Sequence, residues 1–204
     1  AQILSKLGEY HLQAGNPTLA VSALQQSVSL APEQFQFHYL LGLALNNVGR
    51  TEEACGELGI AYRSQSDNRN FAHAYGAALL ISEDPEAALG PLSFAIESQQ
   101  ISDPAAYVDY ARVVMELNYQ GETSVSPERA LVAVEHALTI DPNLAEAKAW
   151  RAEALKGIGN IGAAFSAYQE ALETHLTSDR TWRERLTFGM GSTAYQRGRY
   201  DIDH

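Results

Sequence analysis

Side chains capable of chemistry are few in this sequence, and they are poorly spaced for catalysis. Six histidines are scattered over 204 residues, and none stands at metal-ligand spacing from a cysteine or carboxylate. The single cysteine, Cys55, permits no internal disulfide and reads as a small packed thiol beside Ala54. Carboxylates cluster at Glu52-Glu53 and at Glu83-Asp84-Pro85-Glu86, each at the start of an expected helix, where they complement the helix dipole. The glycines serve turns and helix crossings, and none builds a phosphate-cradling loop. The expectation is a protein that is not an enzyme and holds no metal and no cofactor. What remains is the chemistry of recognition. The amides of Asn46 and Asn47 donate and accept together, which suits the backbone of an extended peptide.

Those side chains need a scaffold, and the sequence repeats one. Leu7-Gly8, Leu41-Gly42 and Tyr75-Gly76 recur at intervals of 34 residues. Ala20, Ala54 and Ala88 follow in phase, as do Leu24, Leu58 and Leu92. Two antiparallel helices that cross closely need a small residue at the crossing and large ones in the flanking holes, which is what alternates here. The fold class is all-α. Asn16-Pro17, Asp84-Pro85, Asp103-Pro104 and Ser126-Pro127 each place a capping side chain before a proline at the first helical position. Helices are expected near 2–14, 17–30, 35–48, 51–64, 69–82, 85–98, 104–118, 127–140, 145–158, 161–175 and 180–197. Between the seventh and eighth, the extra residues of Asn118–Val125 read as a tolerated insertion or as a loop that touches a partner.

In this pattern the chain resembles the tetratricopeptide-repeat family over nearly its whole length. The resemblance implies a right-handed superhelical solenoid of antiparallel helix pairs, one domain over 1–204. Its repeats would span about 1–34, 35–68, 69–102, 104–144 with the insertion near 118–125, and 145–178, with a partial sixth over 179–204. The partial unit, with a turn expected at Gly198, reads as a fragment of a longer protein. The resemblance also implies that the first helix of each pair lines a concave groove through its second, fifth, ninth, twelfth and thirteenth residues. Tyr39, Leu43, Asn46, Asn47, His73, Leu80, Arg112 and Met115 are the candidate contacts there. The implied function is a protein–protein interaction scaffold that binds a peptide or helical segment of another protein. Repeat domains that hold the C-terminal carboxylate of heat-shock chaperones use a basic clamp. Ser5, Glu9, Asn70 and Ala74 occupy its places here, so that clamp is absent. The stretch from Tyr107 to about Arg183 is similar to periplasmic repeat proteins of bacterial cytochrome c maturation, on its lengthened turn and its Ala137-Leu138-Thr139-Ile140-Asp141-Pro142 run. That similarity implies a second function, an apocytochrome c chaperone of the haem-lyase type. The repeat pattern also fits a self-assembling scaffold, or a regulatory part of a longer enzyme.

Charge and hydropathy narrow the partners. The net charge of -11 argues against nucleic acid and anionic membrane surfaces. No apolar run approaches the roughly 18 residues of a membrane span, so no membrane insertion is expected. Ala1 opens directly on helical pattern, so a leader could already have been removed, and bacterial cytoplasm and periplasm both stay open. His11 stands where the repeat carries a core tyrosine and reads as packing. The acidic middle and the arginine-bearing end (Arg180, Arg183, Arg185, Arg197, Arg199) raise the expectation of a homo-oligomer stacked head to tail.

Overall fold

Helix starts follow the prolines. Pro17, Pro85, Pro104 and Pro127 each occupy the first helical turn, where a missing N–H costs nothing. Asp84 and Asp103 cap as expected, accepting from the backbone N–H of Ala87 at 3.1 Å and of Ala105 at 3.0 Å. Asn16 and Ser126 do not: their side chains make no cap hydrogen bond, and proline at the next place leaves one donor fewer to satisfy. The structure, a computed structural model, describes residues 1–97, 101–122, 125–174 and 180–202, with the side chains of 199–202 excepted. Among the described residues it contains α1 (Gln2–Gln13), α2 (Pro17–Leu30), α3 (Phe35–Asn47), α4 (Thr51–Ser64), α5 (Arg69–Ile81), α6 (Pro85–Ile96), α7 (Pro104–Tyr119), α8 (Pro127–Ile140), α9 (Ala145–Gly157), α10 (Ile161–Glu173) and α11 (Arg180–Ile202), and no strand. These form two units, Ala1–Ile101 and Ser102–His204.

In the first unit, α1 pairs with α2, α3 with α4 and α5 with α6, while α2 meets α3 and α4 meets α5. The crossings explain the repeat. A Cβ on Gly8 would stand 2.4 Å from Leu24 Cγ, one on Gly42 2.4 Å from Leu58 Cγ, and one on Gly76 2.5 Å from Leu92 Cγ. Leu24, Leu58 and Leu92 are fully buried, as are Ala20, Ala54 and Ala88 beside them. The turn inside each pair repeats as well. Gly15 and Gly49 take positive φ (71° and 76°), and the following amides, Asn16 N–H and Arg50 N–H, close back onto His11 and Leu45 carbonyls at 2.8 and 2.9 Å. In the third pair the same place is Glu83, at φ 60°, with Asp84 N–H bonded to Leu79 O at 3.0 Å. A side chain in that left-handed conformation costs roughly 1–2 kcal/mol. Between α3 and α4 the ring of buried His38 sets Nδ1 2.6 Å from Glu57 Oε2 and Nε2 2.8 Å from Pro32 O.

In the second unit, α7 pairs with α8 and α9 with α10, α8 meets α9, and α11 lies on α10. Ala111 and Ala152, both fully buried, stand where the first unit has glycine. Gly121 and Gly159 keep the positive-φ turn (88° and 84°). The turn after α7 lies within the inserted stretch, whose far end returns to the core through buried Val125; Thr123 and Ser124 fall outside the described residues. Gly189 brings α11 close to α10, since a Cβ there would meet Tyr168 Cζ at 2.4 Å. The turn expected at Gly198 does not form: the helix runs through it to Ile202. One glycine in a helix costs about 1 kcal/mol against alanine, too little to end a helix flanked by good helix formers.

Replacing Glu83 by glycine will raise stability by about 1 kcal/mol, because the left-handed place then carries no Cβ. Gly42→Ala will lower it by about 1–3 kcal/mol through the clash with Leu58. Urea denaturation monitored by circular dichroism separates the two; equal midpoints would contradict both.

Candidate functional site

First helices carry the expected contacts, and in each unit the backbone sorts them by place within the repeat. The twelfth place faces inward. Leu80 is 1% exposed and Met115 is 0% exposed, so neither has surface to offer a ligand, which corrects their assignment as contacts. Leu12 packs on the core cluster of α2 and α3, and the Asn46 Oδ1 atom is buried without a hydrogen-bond partner. The second place is open in Gln2, Gln36 and Asn70, and the thirteenth in Gln13 and Asn47. Helical periodicity explains the split. The twelfth residue lies one turn beyond the glycine of the crossing and so shares its inward face.

In the first unit, the open surface of α3 and α5 combines Tyr39, Leu43 and His73, all half-buried, with exposed Asn47. Tyr39 lies against Phe71 with ring centroids 4.7 Å apart, and Leu43 packs on the Leu58–Ala74–Ala78 cluster. Both are rigidly held yet partly open, the state of an anchor for an apolar side chain. A neighbouring hollow of about 530 Å³ is lined by Gln2, Ile3, Ser5, Lys6 and Glu9 of α1 and by Gln36 and Phe37 of α3. Glu9 accepts from Lys6 at 2.8 Å there.

In the second unit, Arg112 lines a cleft of about 380 Å³. Val108, Asp109 and Glu116 of α7, Glu146 and Trp150 of α9, and Thr181, Trp182 and Arg185 of α11 complete it. Arg112 Nε donates to Glu116 Oε1 at 2.8 Å. The wall opposite is a stacked cluster. The Arg185 guanidinium lies 4.4 Å from the Trp150 ring and 5.3 Å from Trp182, and the two indoles meet edge to face at 5.5 Å. Its Nε also donates to the buried carboxylate of Glu153 at 3.4 Å, and the other oxygen of that carboxylate accepts from the Tyr119 hydroxyl. Burial, then the Glu153 charge, push the Tyr119 and Tyr168 hydroxyls far above the ordinary tyrosine range, so both stay protonated. Outside the cleft, Glu170 of α10 bonds Arg151 and lies 3.3 Å from Lys148, both on α9. Burial pushes its carboxyl upward, but the two cations outweigh this and hold it below the usual carboxylate range.

The spacing of the repeat pointed to Arg112, gave no place to Trp150, Trp182 and Arg185, and put Glu153 at the ninth place of its unit, where it is buried. Trp150 and Trp182 are the only tryptophans in the chain, and that scarcity was the available signal. Among the described residues no group of histidine, cysteine and carboxylate side chains is placed to hold a metal ion, and no helix is long and apolar enough to cross a membrane. Cys55 is half-buried, its Sγ 3.3 Å from Ser82 Oγ.

The tetratricopeptide-repeat family model matches residues 1–34. Solved structures extend the likeness to most of the chain. A MamA protein shares 21% identity with a TM-score of 0.68, over 84% of this chain and 90% of its own. A MamA from Desulfovibrio magneticus shares 18% at 0.68, over 87% and 96%. YrrB, described as a TPR protein with an unusual peptide-binding site, shares 16% at 0.70, over 90% of each chain. No curated protein matches the chain in sequence.

Arg185→Met will destabilise the protein by about 2 kcal/mol, because Glu153 is left buried without its cation. Adding Glu153→Gln will recover part of that loss. Additive effects in this double-mutant cycle would contradict the coupling. Glu170→Gln will cost less than about 1 kcal/mol at neutral pH, since the pair is partly exposed. Because the folded-state pKa is lowered, that cost will vanish as pH falls through the depressed carboxylate range. Thermal melts of both proteins across pH will show the curves converging in acid.

Proposed function

We propose that this chain, whose fold is that of the tetratricopeptide-repeat proteins, is a protein-interaction scaffold that holds a peptide or helical segment of another protein on its first-helix surfaces. The observation that carries the reading is the division of labour within each first helix. One face is committed to the crossing, while the second and thirteenth places stay wholly or partly open, as does the ninth in α1, α3, α5 and α7. Recognition sites on rigid elements hold their geometry better than sites on loops.

Each unit would read a different part of the partner. On the first, Tyr39 and Leu43 take an apolar side chain, while Asn47 and His73 bond to backbone or polar groups. Asn46 contributes only if its buried Oδ1 finds a donor on the partner. On the second, Arg112 and the Trp182 edge of the cleft receive a polar and an aromatic or aliphatic group. The peptide-binding site in the description of YrrB supports the same class of ligand for this fold.

Selection from a displayed library of random twelve-residue peptides will yield binders in the micromolar range, on the order of 6–8 kcal/mol of binding free energy. Asn47→Asp with His73→Glu, or Arg112→Glu, will weaken the selected peptides at least tenfold. Peptides docked in the second unit will also shift the fluorescence of Trp150 and Trp182. No enriched peptide, or peptides indifferent to both variants, would overturn the reading.

A further inference from the structure

We infer that the end of α7 is a two-position latch: Tyr119 closes the ninth place of α9, and Tyr168 takes over its carboxylate partner when Tyr119 swings out. The ninth place is half-buried in α1, α3, α5 and α7, where it holds Glu9, Leu43, Ala77 and Arg112. In α9 it holds Glu153, which is buried. The length of α7 accounts for the difference. From the crossing residues Gly8, Gly42, Gly76 and Ala152, the positive-φ turn residue follows seven places on, at Gly15, Gly49, Glu83 and Gly159. From Ala111 it follows ten places on, at Gly121. The same turn therefore closes α7 three residues late, about 4.5 Å further along the helix axis. Tyr119 ends this added stretch, and its hydroxyl donates to Glu153 Oε2.

Exposure decides which group moves. Tyr119 stands at a helix end and is 53% exposed, so its hydroxyl is the main tie on its ring. Arg185 reaches Glu153 Oε1 only at 3.4 Å, a long bond for this pair. Removing the phenol from a buried carboxylate is costly unless another donor replaces it. Tyr168 of α10 supplies one. It is fully buried, and its hydroxyl has no hydrogen-bond partner among the described residues. Burial, then the charge of Glu153, hold that hydroxyl in its protonated form. It feels the carboxylate while standing outside hydrogen-bond geometry with it.

Three donors thus converge on one carboxylate that two of them engage. With Tyr119 in, Tyr168 goes unpaired. With Tyr119 out, Tyr168 bonds to Glu153, and the buried charge keeps a phenol and a guanidinium. The hydrogen bond gained inside offsets the one lost outside, which brings the two arrangements close in free energy. Any group that favours one of them shifts the balance. Opening uncovers Glu153 at the place the other first helices leave partly open, so a partner that brings a hydrogen-bond donor there competes with Tyr119. That use of the opened place rests on the scaffold reading, whereas the latch itself does not.

Amide hydrogen exchange, followed by NMR on the whole chain without any ligand, tests the latch. The amides of Gln120, Gly121 and Glu122 bond to the carbonyls of Glu116, Asn118 and Leu117 and report on the end of α7. Tyr119→Phe keeps the ring and loses the tie, and is expected to speed their exchange about tenfold, the worth of one hydrogen bond to a charged group. Tyr168→Phe is expected to slow it severalfold, because the closed form loses an unpaired hydroxyl and the open form loses its replacement donor. Amides of the first unit serve as the control and stay unchanged in both variants, whose fold is checked by circular dichroism. A Tyr168 that only packs would leave the three amides unchanged or faster on losing its hydroxyl. Either result, or exchange indifferent to Tyr119→Phe, would overturn the proposal. Exchange as expected in a chain that binds no peptide would support the latch and sink the scaffold reading alone.

Discussion

Close approach of two helices at a residue without a side chain is the constraint on which the first unit depends. Gly8, Gly42 and Gly76 leave no room for even one methyl group against Leu24, Leu58 and Leu92. Each glycine weakens its own helix by about 1 kcal/mol, and burial of the facing leucine returns roughly 1.5–3 kcal/mol. The balance is favourable only if the leucine is fully buried, and all three are. This local balance recurs with every repeat, so the period in the sequence is the period of the crossing. In the second unit alanine takes the crossing at Ala111 and Ala152, which permits a helix pair one methyl further apart.

That constraint was legible because it is local. Helix limits, the small–large alternation and the prolines at helix starts all act within a few residues of themselves, and the observed limits agree to within two residues except at α11. Where the expectation failed, a longer-range term decided. Leu80 and Met115 look like groove residues by their place in a family pattern, but the burial of their side chains answers to the neighbouring helix. Glu83 gave no sign of a strained turn, since nothing in its own type favours positive φ. Only the phase set by Gly15 and Gly49 could have marked it. Gly198 misled in the opposite sense: a glycine can end a helix, and here the helix simply continues.

The cluster of Trp150, Trp182, Arg185, Glu153 and Tyr119 was invisible for a related reason. Its members come from α7, α9 and α11, and no spacing along the chain connects them. A buried carboxylate is tolerated only with good partners, and Glu153 has a phenol and a guanidinium. The guanidinium in turn lies against two indole rings, which orients it at the wall of the cleft. A recognition surface built on such a support loses little entropy when a ligand arrives, because its side chains are already ordered.

The two units therefore solve one problem with different chemistry. Both free the second place and part of the ninth and thirteenth by committing the eighth to packing, and the twelfth too in all but α9, where Lys156 is half-buried. In the first unit the freed places are mainly amides and aliphatic side chains, with the half-buried phenol of Tyr39 beside them, which would suit a neutral, extended segment. In the second they are charged and lie beside indoles, and the charges already compensate one another through Arg112–Glu116 and Arg185–Glu153. On the proposed function, a ligand there would have to offer better partners than those internal ones, or keep them intact and bind over them. Under the proposed scaffold function, compensated charge beside an aromatic edge would penalise a bare ion and favour a segment that brings both polar and apolar groups, so selectivity would follow from what the cleft has already satisfied.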